Sequence, residues 1–191
     1  MNTMSPSGIT QWQEFLTGFA AGRTSSGDRP PATEDELQDA EQRLGTRLPP
    51  SLRSFLACSN GWSSDDGLDG LAAAGQLRWT NDPAHDLADL WSSFEEVIEL
   101  IARCLVVLDH GDGRYGLLDA ARTTDDGEWT AYAWAAGQTP QPFPSFSALV
   151  TALAGEDHHP AGSGRPSSYP AGDCIPMTTL SANSATLRAP T

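Results

Sequence analysis

The chain reads as an α+β domain: helices first, then an antiparallel meander of strands, then a closing helix. Three observations carry this. Apolar residues recur at helical spacing in segments on both sides of residues 104–134, and that central stretch breaks into short apolar runs separated by Asp-Gly turns. The balance of 39% hydrophobic and 19% charged residues is that of a globular chain able to bury a core.

The first helix is expected over Ile9–Ala20, where Trp12, Phe15, Leu16 and Phe19 fall at i, i+3, i+4 and i+7. Residues 22–31 read as a linker. In the second helix Thr33 and Glu36 form a capping box, Leu37, Ala40 and Leu44 mark the apolar stripe, and Gly45 supplies the left-handed stop. Leu48-Pro49-Pro50 starts a third, with Leu52, Phe55 and Leu56 on one face and Asn60-Gly61 as its end, so that two short helices meet at a tight corner. From Trp62 to Asp82 the pattern is weak: a Gly/Asp-rich loop at 65–70 and a short strand near 76–80. Residues 86–102 carry Leu87, Leu90, Trp91, Phe94, Val97, Ile98 and Ile101 at helical spacing, as one helix or as one broken near Ser92-Ser93.

Three antiparallel strands follow. Cys104–Asp109 is apolar and β-branched, Asp112-Gly113 turns it into 115–119, and Asp126-Gly127 turns that into Trp129–Trp134. After a connection over 137–144, Ser145 caps a last helix whose Phe146, Leu149, Val150 and Leu153 share one face. Beyond Gly155 the composition shifts to Gly, Pro, Ser, Thr and Ala, which favours a disordered tail. The expected division is an N-terminal helix and linker (1–30) packed on a domain of 31–154, then a tail of 155–191. No internal repeat is visible.

Charge and composition exclude several functions. All 11 bases are arginine, set against 25 acids, for a net charge of −14. A P-loop lysine, a Schiff-base lysine and a Ser-x-x-Lys acylation site are therefore absent. Only three acids and two arginines lie beyond Gly155, so the acidity belongs to the part expected to fold. Such a surface disfavours nucleic acid, whose binding needs clustered bases, and favours basic partners. Residues 1–10 show no leader pattern, and no apolar run approaches the ~18 residues of a membrane span, so a cytoplasmic protein without membrane contact is expected. Cys58, Cys104 and Cys174 are odd in number and widely spaced, which indicates neither a disulfide framework nor a zinc site.

The chemical motifs resolve into structural ones. Gly111-Asp112-Gly113-Arg114-Tyr115-Gly116 spells a G-x-G-x-x-G dinucleotide turn, but no helix can begin before the turn at 123–127, so a β-hairpin accounts for the glycines. Read as a calcium loop from Asp65, the segment places Gly67 at position 3 and Gln76 at position 12, which leaves half the ligands missing. His85, His110, His158 and His159 have no second ligand at metal-binding spacing. Glu95-Glu96 and Asp125-Asp126 read as exposed helix and turn residues. No cofactor is indicated. Among the six tryptophans, Trp12, Trp91 and Trp134 lie on apolar faces; Trp62 and Trp79 flank the acidic loop, where they serve either as interface anchors or as packing beneath it.

The set Pro31-Ala32-Thr33-Glu34-Asp35-Glu36-Leu37, Leu44-Gly45, Leu48-Pro49-Pro50-Ser51-Leu52, Phe55-Leu56 and Asn60-Gly61-Trp62 resembles the opening signature of the SUKH superfamily. That group includes the Smi/Knr cell-wall regulator and many bacterial immunity proteins. Gly111-Asp112-Gly113 before Leu117-Leu118-Asp119, a strand with Trp134, and Pro144-Ser145-Phe146 before the last helix are similar to the rest of its pattern, so the likeness covers about residues 10–154. The resemblance implies a single α+β domain with a curved antiparallel sheet, no general catalytic apparatus, and, in many bacterial members, neutralisation of a cognate toxin by binding it. Leu48, Pro49, Phe55, Gly61 and Phe146 carry over as fold determinants.

The leading expectation is an immunity protein that binds a toxin, or another basic protein, through an acidic surface made by Asp65, Asp66, Asp69, Asp82, Asp86 and Asp89, with Trp62 and Trp79 as anchors. Arg78 is the sole base within 62–92. The alternatives are a regulatory scaffold module of the same fold and a hydrolase that joins Cys104 or Ser93 with His85 or His110 only in space.

Overall fold

A computed structural model describes residues 6–21, 29–63, 68–82, 95–135 and 138–156. The helices are α1 (Ile9–Ala20), α2 (Glu34–Leu44), α3 (Pro50–Leu56), α4 (Glu95–Ile101) and α5 (Phe146–Glu156). The strands are β1 (Arg78–Trp79), β2 (Cys104–Asp109), β3 (Arg114–Thr123), β4 (Trp129–Ala135) and β5 (Gln141–Phe143), and they form one sheet in the order β1-β2-β3-β4-β5. Every neighbouring pair is antiparallel, so the sheet is a plain meander and the fold is α+β.

Local chemistry explains the N-terminal half. Thr33 and Glu36 exchange their capping bonds, with the Thr33 backbone N–H donating to Glu36 at 2.8 Å, and Gly45 ends α2 at φ +71°. The corner into α3 is fixed by Glu41, whose carboxylate accepts from the Leu48 backbone at 3.1 Å and from Arg53 at 3.3 Å. Arg53 also pairs with Glu34, and the bonds from Gln38 and then Arg53 hold the Glu34 carboxyl below its ordinary range. Pro50 opens α3 in the first turn, where a missing N–H costs nothing. The α3 start is completed from far along the chain: Glu128 accepts from the Ser51 backbone N–H at 2.7 Å and from its hydroxyl at 2.6 Å.

One face of the sheet packs on α1, α2, α3 and α5. Trp12 lies at its centre, 0% exposed, edge-on to Phe55 at 5.2 Å and beside Phe146 at 5.8 Å, with its ring N–H donated to the Ser51 carbonyl at 3.0 Å. α1 is therefore part of the core. Gly116 on β3 lets α5 approach, since a Cβ there would stand 3.3 Å from Leu149 and 2.9 Å from Leu108. Leu48, Pro49, Phe55 and Phe146 are all buried.

The other face carries a smaller cluster of Cys104, Val106, Leu117, Tyr132 and Trp134, covered by Ile101, Val97 and Leu100 of α4. Asp119 is fully buried at the margin of this face, where Arg103 grips both its oxygens at 2.9 Å and Arg122 approaches at 3.7 Å. Arginine's fork suits this bidentate grip.

The fold differs from the sequence reading at the end of the sheet. A fifth strand, β5, lies in what reads as a connection, because Pro142 and its polar neighbours give no strand signal; only its pairing with Ala131–Ala133 makes it one. The expected helix of 86–102 is described only as α4, and residues 83–94 lie outside the described residues, as do the linker at 22–28 and the tail from 157. The G-x-G-x-x-G glycines do form the β2–β3 hairpin, with Gly111 at φ +72° and Gly113 at φ +89°. Among the described residues, no helix is long and apolar enough to cross a membrane.

Candidate partner-binding face

The segment from Trp62 to Asp82 is laid against the end of β2 by its own backbone. Trp62 bridges to Leu71, Leu71 bridges to Leu108, and the Gly70 carbonyl accepts from the Asp109 N–H at 3.1 Å. Gly70 sits at φ +83°, and a Cβ there would fall 2.1 Å from the Asp109 carbonyl oxygen. This close approach is what the glycine serves. Gly61 is held in the same way at φ +89°, with a would-be Cβ 2.8 Å from the Leu71 carbonyl. Leu68 and Leu71 bury fully behind the loop.

The expected acidic face divides. Asp69 and Asp82 are half-buried, whereas Asp65, Asp66, Asp86 and Asp89 lie outside the described residues. Trp62 is not an exposed anchor: it is 1% exposed and edge-on to Phe19 at 5.7 Å, because Leu71 and α1 close over it. Trp79 is half-buried, stacked on Trp129 at 6.2 Å, and donates its ring N–H to the Leu44 carbonyl at 3.2 Å.

Between β1, the loop at 70–77 and the hairpin end runs a groove of about 630 Å³. Its lining includes Asp82, Asp109 and His110, together with Arg29, Arg43 and Arg78. The arginines come from three separate segments, and linear reasoning placed only Arg78 here. Arg43 reaches from α2 to donate to the Leu77 carbonyl at 2.6 Å and the Ala74 carbonyl at 2.9 Å. Arg78 pairs with Asp109 at 2.7 Å, and its Nε–H is enclosed without an acceptor among the described residues. Burial, and then the Arg114 charge, push the His110 imidazole below its ordinary range, so it is neutral at pH 7.

Of the residues a hydrolase would join, Cys104 opens β2 and His110 follows its far end. Cys104 donates its thiol to the Leu100 carbonyl at 3.0 Å, and burial, then the Asp119 charge, push it up to about 12, so the thiolate is scarce at neutral pH. His85 and Ser93 lie outside the described residues. Among the described residues, no group of three or more His, Cys, Asp or Glu is placed to hold a metal ion.

Comparison with known proteins agrees with this architecture. The model of the SMI1 / KNR4 family (SUKH-1) matches residues 31–152, from the strand of backbone before α2 to the middle of α5. No curated protein matches the chain.

Proposed function

Because the chain belongs to the SMI1 / KNR4 (SUKH-1) family, we propose that it is a non-catalytic immunity protein of the cytoplasm, which neutralises a cognate bacterial toxin of the nuclease or deaminase kind by binding it through an acidic surface. The family match is the observation that carries this reading. The net charge of −14 supports the choice of surface. A nuclease must be basic where it holds phosphates, so carboxylates set against that site both block it and draw it in from solution.

The proposed contact centres on Asp65, Asp66, Asp69, Asp82, Asp86 and Asp89, with the exposed edge of Trp79 beside them. Trp62 contributes from below by holding Leu71 and the loop in place. The test is capture of partners by the tagged full-length chain at low and at high salt. Recovery of a basic toxin domain, weakened by salt, is the expected result, since a steered contact between exposed charges is screened within about 10 Å at 0.1 M salt. Reversal of Asp65, Asp66 and Asp69 to lysine together should then lower affinity at least tenfold and flatten the salt dependence. Unchanged binding by that variant would sink the acidic-surface reading, and recovery of a housekeeping protein instead would point to a regulatory module.

A further inference from the structure

The groove beside β1 has the wrong charge for a face built only to meet a basic partner. Three of the chain's 11 arginines line it against two carboxylates, Asp82 and Asp109, in a protein whose net charge is −14. Arg29 arrives from the segment before α2, Arg43 from α2 and Arg78 from β1, so the convergence is a product of the fold and not of one basic run.

Two of these arginines are held in place with binding capacity left over. Arg43 spends two donors on the Leu77 and Ala74 carbonyls, which fix the guanidinium without neutralising it, and no carboxylate of the described residues pairs with it. Arg78 gives one donor to Asp109 and its Nε–H is enclosed, and the part of its side chain that stays accessible lines the groove. A guanidinium fixed by some of its donors and open at others is preorganised for a planar acceptor, and a carboxylate is the common match.

We propose that this groove receives an acidic side chain of the bound protein, carried on an extended segment, with its carboxylate held by Arg78 and Arg43. The proposal rests on the protein-binding reading above and names what that partner must present. Size argues for a segment over a free small carboxylate. About 630 Å³ is the volume of a site for a ligand of many atoms, and a lone carboxylate would leave most of it open. Leu71, Ala72, Gly75 and Leu77 give it walls of small or apolar residues that admit a main chain.

The test uses the full chain, 15N-labelled, with the arginine Nε–Hε resonances as reporters. The probe is a blocked Gly-Glu-Gly tripeptide, compared with blocked Gly-Gln-Gly and with inorganic phosphate. Saturable shifts at Arg78 and Arg43 with the Glu peptide, absent with the Gln peptide, are expected, and Arg78→Gln should weaken the interaction at least tenfold while Arg114→Gln leaves it unchanged. Shifts shared equally by Arg114, which is exposed on the hairpin, or shifts of the same size with phosphate, would overturn the proposal as a generic anion effect. The wild-type shifts decide the matter even if Arg78→Gln does not fold. Peptide binding without any toxin recovered would keep the groove and remove the immunity reading; a captured toxin whose affinity Arg78→Gln leaves intact would do the reverse.

Discussion

Beneath α1, α3 and α5 the rings of Trp12, Phe55 and Phe146 are fully enclosed and meet within 6 Å of one another, whereas in the groove beside β1 two of the three arginines are held, Arg43 by carbonyls and Arg78 by one carboxylate. The first region removes large apolar surfaces from water, at roughly 25 cal/mol per Å², and leaves nothing for a ligand to touch. The second consists of partly exposed ion pairs and hydrogen bonds whose net worth in water is small. If the groove binds as proposed, stability and recognition are carried by different residues, and substitutions in the two regions should separate them.

The largest effect is expected at Trp12. Trp12→Ala removes the ring at the centre of the core and the bond to the Ser51 carbonyl, and should cost about 3–5 kcal/mol, read from urea unfolding of the full chain. Because α1 precedes the matched residues 31–152, a loss below about 1 kcal/mol would mean that the family domain folds without it and that the core begins at α2. A middle-sized effect is expected where the core uses a charge. Glu128→Ala leaves the buried N–H and hydroxyl of Ser51 without their acceptor, worth about 1–3 kcal/mol. A cycle with Ser51→Ala, which keeps the backbone N–H, should show the hydroxyl's share of that loss as coupling between the two; additive losses would refute the hydroxyl bond.

These two regions also differed in how far they could be read from the chain alone. α1, α2, α3 and α5 were legible because their signals are local: the Thr33–Glu36 box, Gly45, Pro50, and apolar residues at fixed spacing. The hairpins at 111–113 and 126–127 were legible for the same reason, since a turn's chemistry lies within four residues. What escaped is what depends on distance. Glu128 acts on Ser51 across 77 positions, and β5 is a strand only because β4 lies beside it. The groove needs Arg29, Arg43 and Arg78 brought together by the fold, so a count along residues 62–92 saw acids where the folded surface also presents arginines. Of the two roles its position left open, Trp62 takes the packed one, because α1 and Leu71 enclose it, which its neighbours in sequence do not announce.

The smallest effect on stability is expected at Arg78, which makes it the sharpest test of the division. Its pair with Asp109 is partly exposed, with the two side chains 21% and 31% accessible, and such pairs contribute about 0.2–1 kcal/mol. Against this stands an enclosed Nε–H that folding takes from water and gives no acceptor, so its removal returns part of the loss. Asp109 also keeps its other oxygen on the Gly111 N–H at 2.9 Å, which leaves the hairpin tip closed. Arg78→Gln should therefore unfold within about 1 kcal/mol of the parent chain in urea while losing the carboxylate peptide. A cost of about 3 kcal/mol, as large as that of a core ring, would make Arg78 a brace of the β1 edge and end the separation between a stabilising face and a recognising one.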